Sequence, residues 1–148
     1  MSCTEMNTSL KKRIIKTIIW SVALYGAETW TSRKEDIRRL EALEMCLWRR
    51  MEKVSWEAMM TNEKVLESVG ESRKLVETIV QQKKNWIGHF FEEKDLREVM
   101  EGKMVGKRPR GRPRIGMLEE LKEGSFENIK RRAENREEWR SWVPRGLP

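Results

Sequence analysis

The chain has 148 residues, 38% of them hydrophobic and 37% charged, which is enough for one ordinary domain or two small ones. Its seven tryptophans need burial, so the composition excludes a wholly disordered chain, and the net charge of +7 favours polyanionic partners, nucleic acid before an anionic membrane surface. Two cysteines, Cys3 and Cys46, cannot build a disulfide framework, which predicts a reducing compartment, nuclear or cytoplasmic.

The first predicted helix runs from about Ser9 to Tyr25, and residues 1–8 before it are expected to be disordered. Its apolar residues recur at helical spacing: Leu10, Ile14, Ile18, Val22 and Tyr25. The apolar run over residues 17–27 is too short to span a bilayer. A signal peptide is the alternative, because a basic cluster precedes the run, but a buried amphipathic helix is favoured.

Local signals predict where the next two helices begin and end. Ser32 and Glu35 form a predicted capping box at the start of the second helix, in which hydroxyl and carboxylate each accept from the other residue's backbone amide. Thr61 is expected to cap a short third helix that Gly70 ends. The predicted apolar face of the second helix is Ile37, Leu40, Leu43, Leu47, Trp48 and Met51.

A long fourth helix and a C-terminal helix complete the predicted elements. The fourth helix carries one apolar stripe: Leu75, Val76, Ile79, Val80, Trp86, Ile87 and Phe90. Ser125 is expected to cap the last helix, which continues past Trp139 to a stop at Pro144. No segment alternates with period two, so the sequence predicts an all-α fold. Its parts are a small helical bundle over residues 9–102, a basic Pro/Gly linker over residues 103–116 and a short C-terminal helical segment over residues 117–148.

The linker holds the most informative segment of the chain. Residues 107–114 carry five cations and no acid, interrupted by Pro109, Gly111 and Pro113, which forbid a helix. Arginines held extended around a glycine suit a narrow, negative, A·T-rich minor groove, and the core Pro-Arg-Gly-Arg-Pro resembles the AT-hook of chromatin proteins. A solvated linker or a nuclear-import signal, which needs only charge, is the alternative.

Residues for catalysis or metal binding are scarce. Asp36 and Asp95 are the only aspartates, whereas two-metal phosphoryl transfer needs several converging carboxylates. His89 is the only histidine, has no ligand spacing to either cysteine and is expected to pack against aromatic neighbours. The sequence contains no nucleotide-binding glycine loop. It therefore predicts no enzyme activity, no metal, no cofactor and no small-molecule substrate.

The last predicted helix mixes aromatic and cationic residues. Trp139 and Trp142 lie among four cations: Arg131, Arg132, Arg136 and Arg140. Such a surface can bind single-stranded nucleic acid by stacking and charge. A core edge covered by long cationic side chains is the favoured interpretation.

Seven short landmarks follow one another along the chain: Tyr25-Gly26-Ala27-Glu28-Thr29-Trp30-Thr31; Arg49-Arg50-Met51 with Ser55-Trp56; Thr61-Asn62-Glu63 with Val65-Leu66; Trp86-Ile87-Gly88-His89; Glu101-Gly102-Lys103 with Gly106-Lys107-Arg108; Gly111-Arg112-Pro113-Arg114; and Asn135-Arg136-Glu137-Glu138-Trp139-Arg140. In this order and spacing, the chain resembles the region downstream of the polymerase palm in endonuclease–reverse transcriptases of non-LTR (LINE-like) retrotransposons. The resemblance implies thumb and post-thumb helices that grip the RNA template, the primer duplex or target DNA. The palm's paired aspartates are missing, so none of the family's catalytic residues is carried over.

The leading hypothesis is therefore a non-catalytic nucleic-acid-binding fragment of such a reverse transcriptase, without palm or endonuclease. The cations expected to contact DNA or RNA are Lys103, Lys107, Arg108, Arg110, Arg112 and Arg114, with Lys11, Lys12 and Arg13 as a weaker second patch. One alternative is a helical protein-interaction module in which the stripe of the fourth helix serves a partner helix. The other is a decayed, non-functional transposon remnant. No membrane association is expected.

Overall fold

The computed structural model of the protein describes residues 6–93, 111, 116–118, 121 and 125–144. Its helices are α1 (Thr8–Ile14), α2 (Trp20–Ala23), α3 (Lys34–Met51), α4 (Asn62–Val69), α5 (Leu75–Glu92), α6 (Phe126–Glu134) and α7 (Arg136–Ser141). A π-helical turn, Ile15–Ile19, joins α1 to α2, and 3₁₀ turns lie at Ala27–Thr29 and Trp56–Ala58. The described residues contain no strand, which confirms the predicted all-α fold.

The chain divides into two compact units. Unit 1 is Met1–Ala27 with Arg33–Ile79, and unit 2 is Glu28–Ser32 with Val80–Pro148. The division falls within α5, so the first part of that helix belongs to unit 1 and the remainder to unit 2. Each unit has its own hydrophobic core.

The core of unit 1 forms where the π-helical turn, α3 and α4 bring their apolar sides together. Its buried residues are Ile15, Met45, Trp48, Met51, Val65 and Val69. Side chains of this size each contribute about 1.5–3 kcal/mol when fully buried. This cluster is therefore the main reason that the three elements pack as one unit.

The first helical segment buries a different face from the predicted one, so that prediction was wrong. Ile18 is exposed, as are Val22 (74%) and Tyr25 (85%), whereas Ile15 and Ile19 pack in the core. Neighbouring residues of a helix are rotated by about 100°, so the buried face lies one position away from the predicted stripe. Both faces carry isoleucines, and helical spacing alone does not rank them.

The start of α3 corrects the predicted capping box. The helix begins at Lys34, and the Asp36 carboxylate accepts a hydrogen bond of 3.1 Å from the Arg33 N–H. Because the helix starts one residue later than the box of Ser32 and Glu35 requires, Asp36 occupies the position from which a carboxylate reaches back to the cap.

Both ends of α4 agree with the prediction. The Thr61 hydroxyl accepts from the Lys64 N–H at 3.4 Å, at the start of the helix. Gly70 ends it with a left-handed backbone, φ 67° and ψ 40°, a conformation that costs a side-chain-bearing residue about 1–2 kcal/mol.

The core of unit 2 joins the second part of α5 to the C-terminal helices. Its buried residues are Val80, Ile87, Phe91, Leu121, Ile129 and Trp139. The rings of Phe91 and Phe126 lie 5.9 Å apart, which is an ordinary spacing for packed aromatic pairs. Phe91 rather than the predicted Phe90 is the buried phenylalanine of α5.

Two helices replace the single predicted C-terminal helix. Ser125 caps α6 as expected, its hydroxyl accepting from the Glu127 N–H at 3.3 Å. Asn135 then adopts an extended backbone, φ −103°, and its side-chain oxygen accepts from the N–H groups of Glu137 and Glu138 at 3.2 and 3.3 Å. Asparagine competes for backbone amides in this way, so it ends α6 and starts α7 at once.

Candidate nucleic-acid interface

Six of the predicted nucleic-acid-binding residues lie outside the described residues: Lys103, Lys107, Arg108, Arg110, Arg112 and Arg114. The centre of their stretch is described at Gly111, which is exposed and has a φ of 132°. Residues with side chains rarely adopt that angle. A Cβ built at Gly111 meets no atom of the described residues within 4 Å, so the backbone is open to close approach on that side.

The second predicted patch, Lys11, Lys12 and Arg13, has mixed surroundings. The Lys12 ammonium donates to the backbone carbonyl of Val69, one of the last carbonyls of α4. Cations at helix C-termini stabilise the orphan carbonyls and the helix dipole. Lys12 is therefore engaged in holding α4, while Arg13 is exposed and Lys11 is half-buried.

A buried carboxylate caps α5 within unit 1. Glu44 of α3 is 1% exposed, and its two oxygens accept from the N–H groups of Lys74 and Leu75 at 3.1 and 3.3 Å. The first amides of a helix lack intrahelical partners, and a negative charge there is favoured by the helix dipole. This role of Glu44 was not predicted from the sequence. Its signal is an acid on the apolar stripe between Leu40 and Trp48.

Two buried lysines of α5 donate hydrogen bonds to backbone carbonyls in unit 2. Lys83 donates to the Trp30 carbonyl at 2.6 Å. Lys84 donates to the Arg140 carbonyl at 3.2 Å and to the Trp142 carbonyl, at the end of α7. Burial lowers the pKa of Lys84 below its ordinary 10.5, because the charged form loses solvation. Both lysines were missed, although cations among the apolar positions of α5 are their sequence signal.

The indole of Trp139 packs directly on the backbone at Gly88. A Cβ built at Gly88 would lie 2.2 Å from the Trp139 ring nitrogen and 2.9 Å from its neighbouring carbon. No real side chain fits at such distances, so the buried position of Trp139 depends on glycine at residue 88. This contact joins two of the sequence landmarks, the one around Trp86 and the one that starts at Asn135.

The aromatic and cationic residues of α6 and α7 form a core edge. The ring centroid of half-buried Trp142 lies 5.1 Å from that of Trp139, and the Arg132 guanidinium lies 5.2 Å from the Trp142 centroid. Arg136 lies 3.6 Å from the Glu92 carboxylate. Arg132 thus covers an aromatic ring and Arg136 faces an acid. This agrees with a core edge covered by long cationic side chains rather than with an open surface for stacking bases.

The described residues contain no cluster suited to metal chemistry. No group of three or more His, Cys, Asp or Glu side chains among them could hold a metal ion. His89 is exposed, and its Nδ1 lies 4.0 Å from the Glu92 carboxylate, so the prediction that it packs against aromatic residues was wrong. None of the helices in the described ranges is long and apolar enough to cross a membrane.

No protein-family model, curated protein or solved structure matches the chain. The resemblance to non-LTR reverse transcriptases therefore stays a prediction that rests on the quoted landmarks. The geometry gives five of those landmarks a structural role. They supply the Trp30 carbonyl, the hydrogen bond from Arg49 to Asn62, the glycine on which Trp139 packs and the Asn135 cap.

Proposed function

We propose that the chain binds nucleic acid through residues 103–114 and catalyses no reaction, as the thumb and post-thumb region of a non-LTR reverse transcriptase would. The distribution of charge carries this proposal. Six of the 31 lysines and arginines, and none of the 24 acids, lie in residues 103–114. The rest of the chain is left with 25 cations against 24 acids, which is nearly neutral.

A charge excess confined to one short stretch attracts a polyanion locally, because beyond about 8 Å surface charges are screened at physiological ionic strength. The prolines keep the arginines of this stretch out of a helix, and the backbone angle at Gly111 favours glycine. Arginines next to an approachable backbone suit the narrow, negative minor groove of A·T-rich DNA. An A·T-rich duplex is therefore the favoured ligand.

The first experiment measures affinity for a labelled A·T-rich duplex across salt concentrations. If about five cations neutralise phosphates, the log–log slope should be near −4 to −5. Replacing Arg110 and Arg112 with alanine should weaken binding strongly and reduce the slope by about 2. The matched control replaces Arg39 and Arg131, two exposed arginines outside the stretch, and removes the same charge. Equal losses of duplex affinity in the two double variants would show that residues 103–114 contribute only nonspecific charge.

A second experiment separates backbone conformation from charge. Gly111→Ala leaves every cation in place but disfavours the positive φ of 132°. It should lower affinity for the A·T-rich duplex several-fold and leave the affinity for a G·C-rich duplex nearly unchanged. Gly116→Ala is the control, because a Cβ there meets no described atom within 4 Å and the residue has no positive φ. Equal affinities of the two variants would argue against minor-groove insertion.

A helical protein-interaction module is the second candidate function, and one observation favours it. The exposed face of the first helical segment presents Ile18, Val22 and Tyr25 to solvent. The stripe of α5 does not serve that purpose, because Leu75, Ile79, Val80 and Ile87 are buried within the chain. Light scattering distinguishes the candidates cheaply. Self-association that Val22→Glu abolishes would support the interaction module, and a clean monomer would count against self-association through this face.

A further inference from the structure

Unit 1 contains an open groove of about 960 Å³ between α3 and the segment that leads into α4. We name it the methionine groove. Its apolar floor includes Met45, Val54 and Met60, and its rim includes Arg38, Arg50 and Arg73. None of the described nucleic-acid-binding candidates, Lys11, Lys12 and Arg13, lines it.

The wall of the methionine groove is held in place by an arginine. The Arg49 guanidinium donates to the Met60 carbonyl at 2.6 Å and to the Asn62 side-chain oxygen at 3.0 Å. These charge-assisted bonds fix residues 60–62 against α3. The groove is thus a built feature of unit 1.

An exposed methionine stands beside the floor. Met59 is 87% exposed and has a φ of 44°, in the left-handed region that non-glycine residues seldom occupy. Residues held in such conformations cluster at ligand-binding segments. Methionine is also suited to a docking surface, because its flexible thioether adapts to different apolar side chains.

The charges of the rim are available for a partner. Arg38, Arg50 and Arg73 are exposed, and within the described part of the chain none of them forms an ion pair. Among the lining residues that the structure describes, Glu41 is the one acid, against four arginines. A ligand for this groove needs acidic groups for the rim and apolar side chains for the floor.

We propose that the methionine groove binds an acidic amphipathic helix of a partner protein. Such a helix carries apolar side chains at positions i, i+4 and i+7 on one face and acids on its flanks, which matches an apolar floor between cationic edges. A nucleic-acid backbone would satisfy the arginines but has no aliphatic side chains to place on the methionines. The proposal is independent of residues 103–114.

The probe is a fluorescein-labelled helical peptide of about 16 residues, with leucines at i, i+4 and i+7 and glutamates flanking them, a helix-in-groove pattern. Its scrambled isomer is the control. Binding is measured by fluorescence anisotropy with the full chain. A second readout is the alkylation rate of Cys46, an exposed thiol in the lining, in a Cys3→Ser background. Bound peptide should slow that alkylation several-fold.

Two variants test the cationic rim and the apolar contact of the groove separately. Removing the three rim arginines (R38A, R50A and R73A) should weaken peptide binding by about tenfold, because each exposed ion pair contributes only modestly to affinity. Met59→Ser should weaken it by about fivefold through lost apolar contact. Lys34→Ala with Arg39→Ala, on exposed positions of α3 outside the lining, should leave affinity within twofold. All substituted side chains are exposed, and circular dichroism checks that each variant is folded.

Three results would overturn the proposal. The first is no saturable binding of the helical peptide. The second is equal binding of its scrambled isomer, or an equal loss in the Lys34 and Arg39 variant, since either shows charge attraction without a groove. The third is a short duplex DNA that displaces the peptide and loses affinity in the rim variant, which assigns the groove to nucleic acid. The proposal is supported if the rim and Met59 variants selectively lose peptide affinity and bound peptide protects Cys46 from alkylation.

Discussion

Gly88→Ala gives the sharpest test of the packing in unit 2, because two effects of opposite sign compete. In an exposed helix, replacing glycine with alanine stabilises the protein by about 1 kcal/mol through backbone entropy. At Gly88, however, the new Cβ would lie 2.2, 2.9 and 3.0 Å from three atoms of the Trp139 ring. Carbon atoms in favourable contact are about 3.5–4.0 Å apart, so the buried indole must move by about 1 Å.

The size of the loss follows from overpacking. Inserting a methyl group into a tightly packed core costs about 1–3 kcal/mol, and displacement of Trp139 also disturbs Ile87 and Ile129 in the same cluster. After the gain in helix propensity is subtracted, we expect a net destabilisation of at most about 2 kcal/mol. In a chain of this length that lowers Tm by up to about 8 °C.

Thermal unfolding followed by circular dichroism measures the effect. Trp139→Phe is the matched partner, since it removes the nitrogen that lies nearest the new methyl group. The double variant should be more stable than the sum of the two single effects predicts, with a coupling of about 1 kcal/mol. A higher Tm for Gly88→Ala would show that Trp139 does not sit on Gly88. A broad, non-cooperative melt of the unmodified chain would instead favour the decayed-remnant alternative.

Three further predictions concern the buried and half-buried charges. Glu44→Ala should destabilise the chain by about 1–3 kcal/mol in urea unfolding, because two buried amides at the start of α5 lose their acceptor, and Glu44→Gln should recover part of that loss. Lys84→Met removes a group whose pKa is lowered by burial, so the unfolded chain binds more protons between that lowered pKa and 10.5. The stability of the unmodified chain relative to Lys84→Met should therefore rise with pH across that window, and a parallel pH profile would contradict this. Lys12→Ala should lower Tm more than Lys11→Ala does, because only Lys12 donates to a C-terminal carbonyl of α4, and equal melts would refute that role.

Helix caps, which depend on residues next to one another in the sequence, were predictable. The buried face of a helix, which depends on tertiary packing, was not. The helix α4 begins after Thr61 and ends at Gly70, as the sequence indicates, because capping involves only the first and last turn of a helix. The buried face of the first segment was wrongly predicted, because Ile15 and Ile19 compete with Ile14 and Ile18 at equal hydrophobicity. Contacts with α3 and α4 decide between them, and those contacts come from residues far along the chain.

The same limit applies to charges. The apolar stripes of α3 and α5 contain three buried charged residues: Glu44, Lys83 and Lys84. From the sequence pattern alone, charged residues at such positions are expected to be solvated. Each is buried with a backbone partner from a distant part of the chain. A position on an apolar stripe indicates that a charged residue is buried. The hydrogen-bond partner that compensates its charge follows only from the tertiary structure.

The structural roles of the landmarks change what the resemblance to reverse transcriptases can support. Gly88 is needed by Trp139, and Asn62 accepts from Arg49, so these residues would be required in any chain with this packing, whatever its activity. Landmarks of this kind reflect the packing of this chain and do not by themselves indicate an activity. Contacts with nucleic acid must come from cations that the packing of the helices does not use. Among the cations, Lys12, Lys83 and Lys84 are engaged by backbone carbonyls. The proposed function therefore depends on residues 103–114, and the loss of duplex affinity in the Arg110 and Arg112 double variant is its decisive measurement.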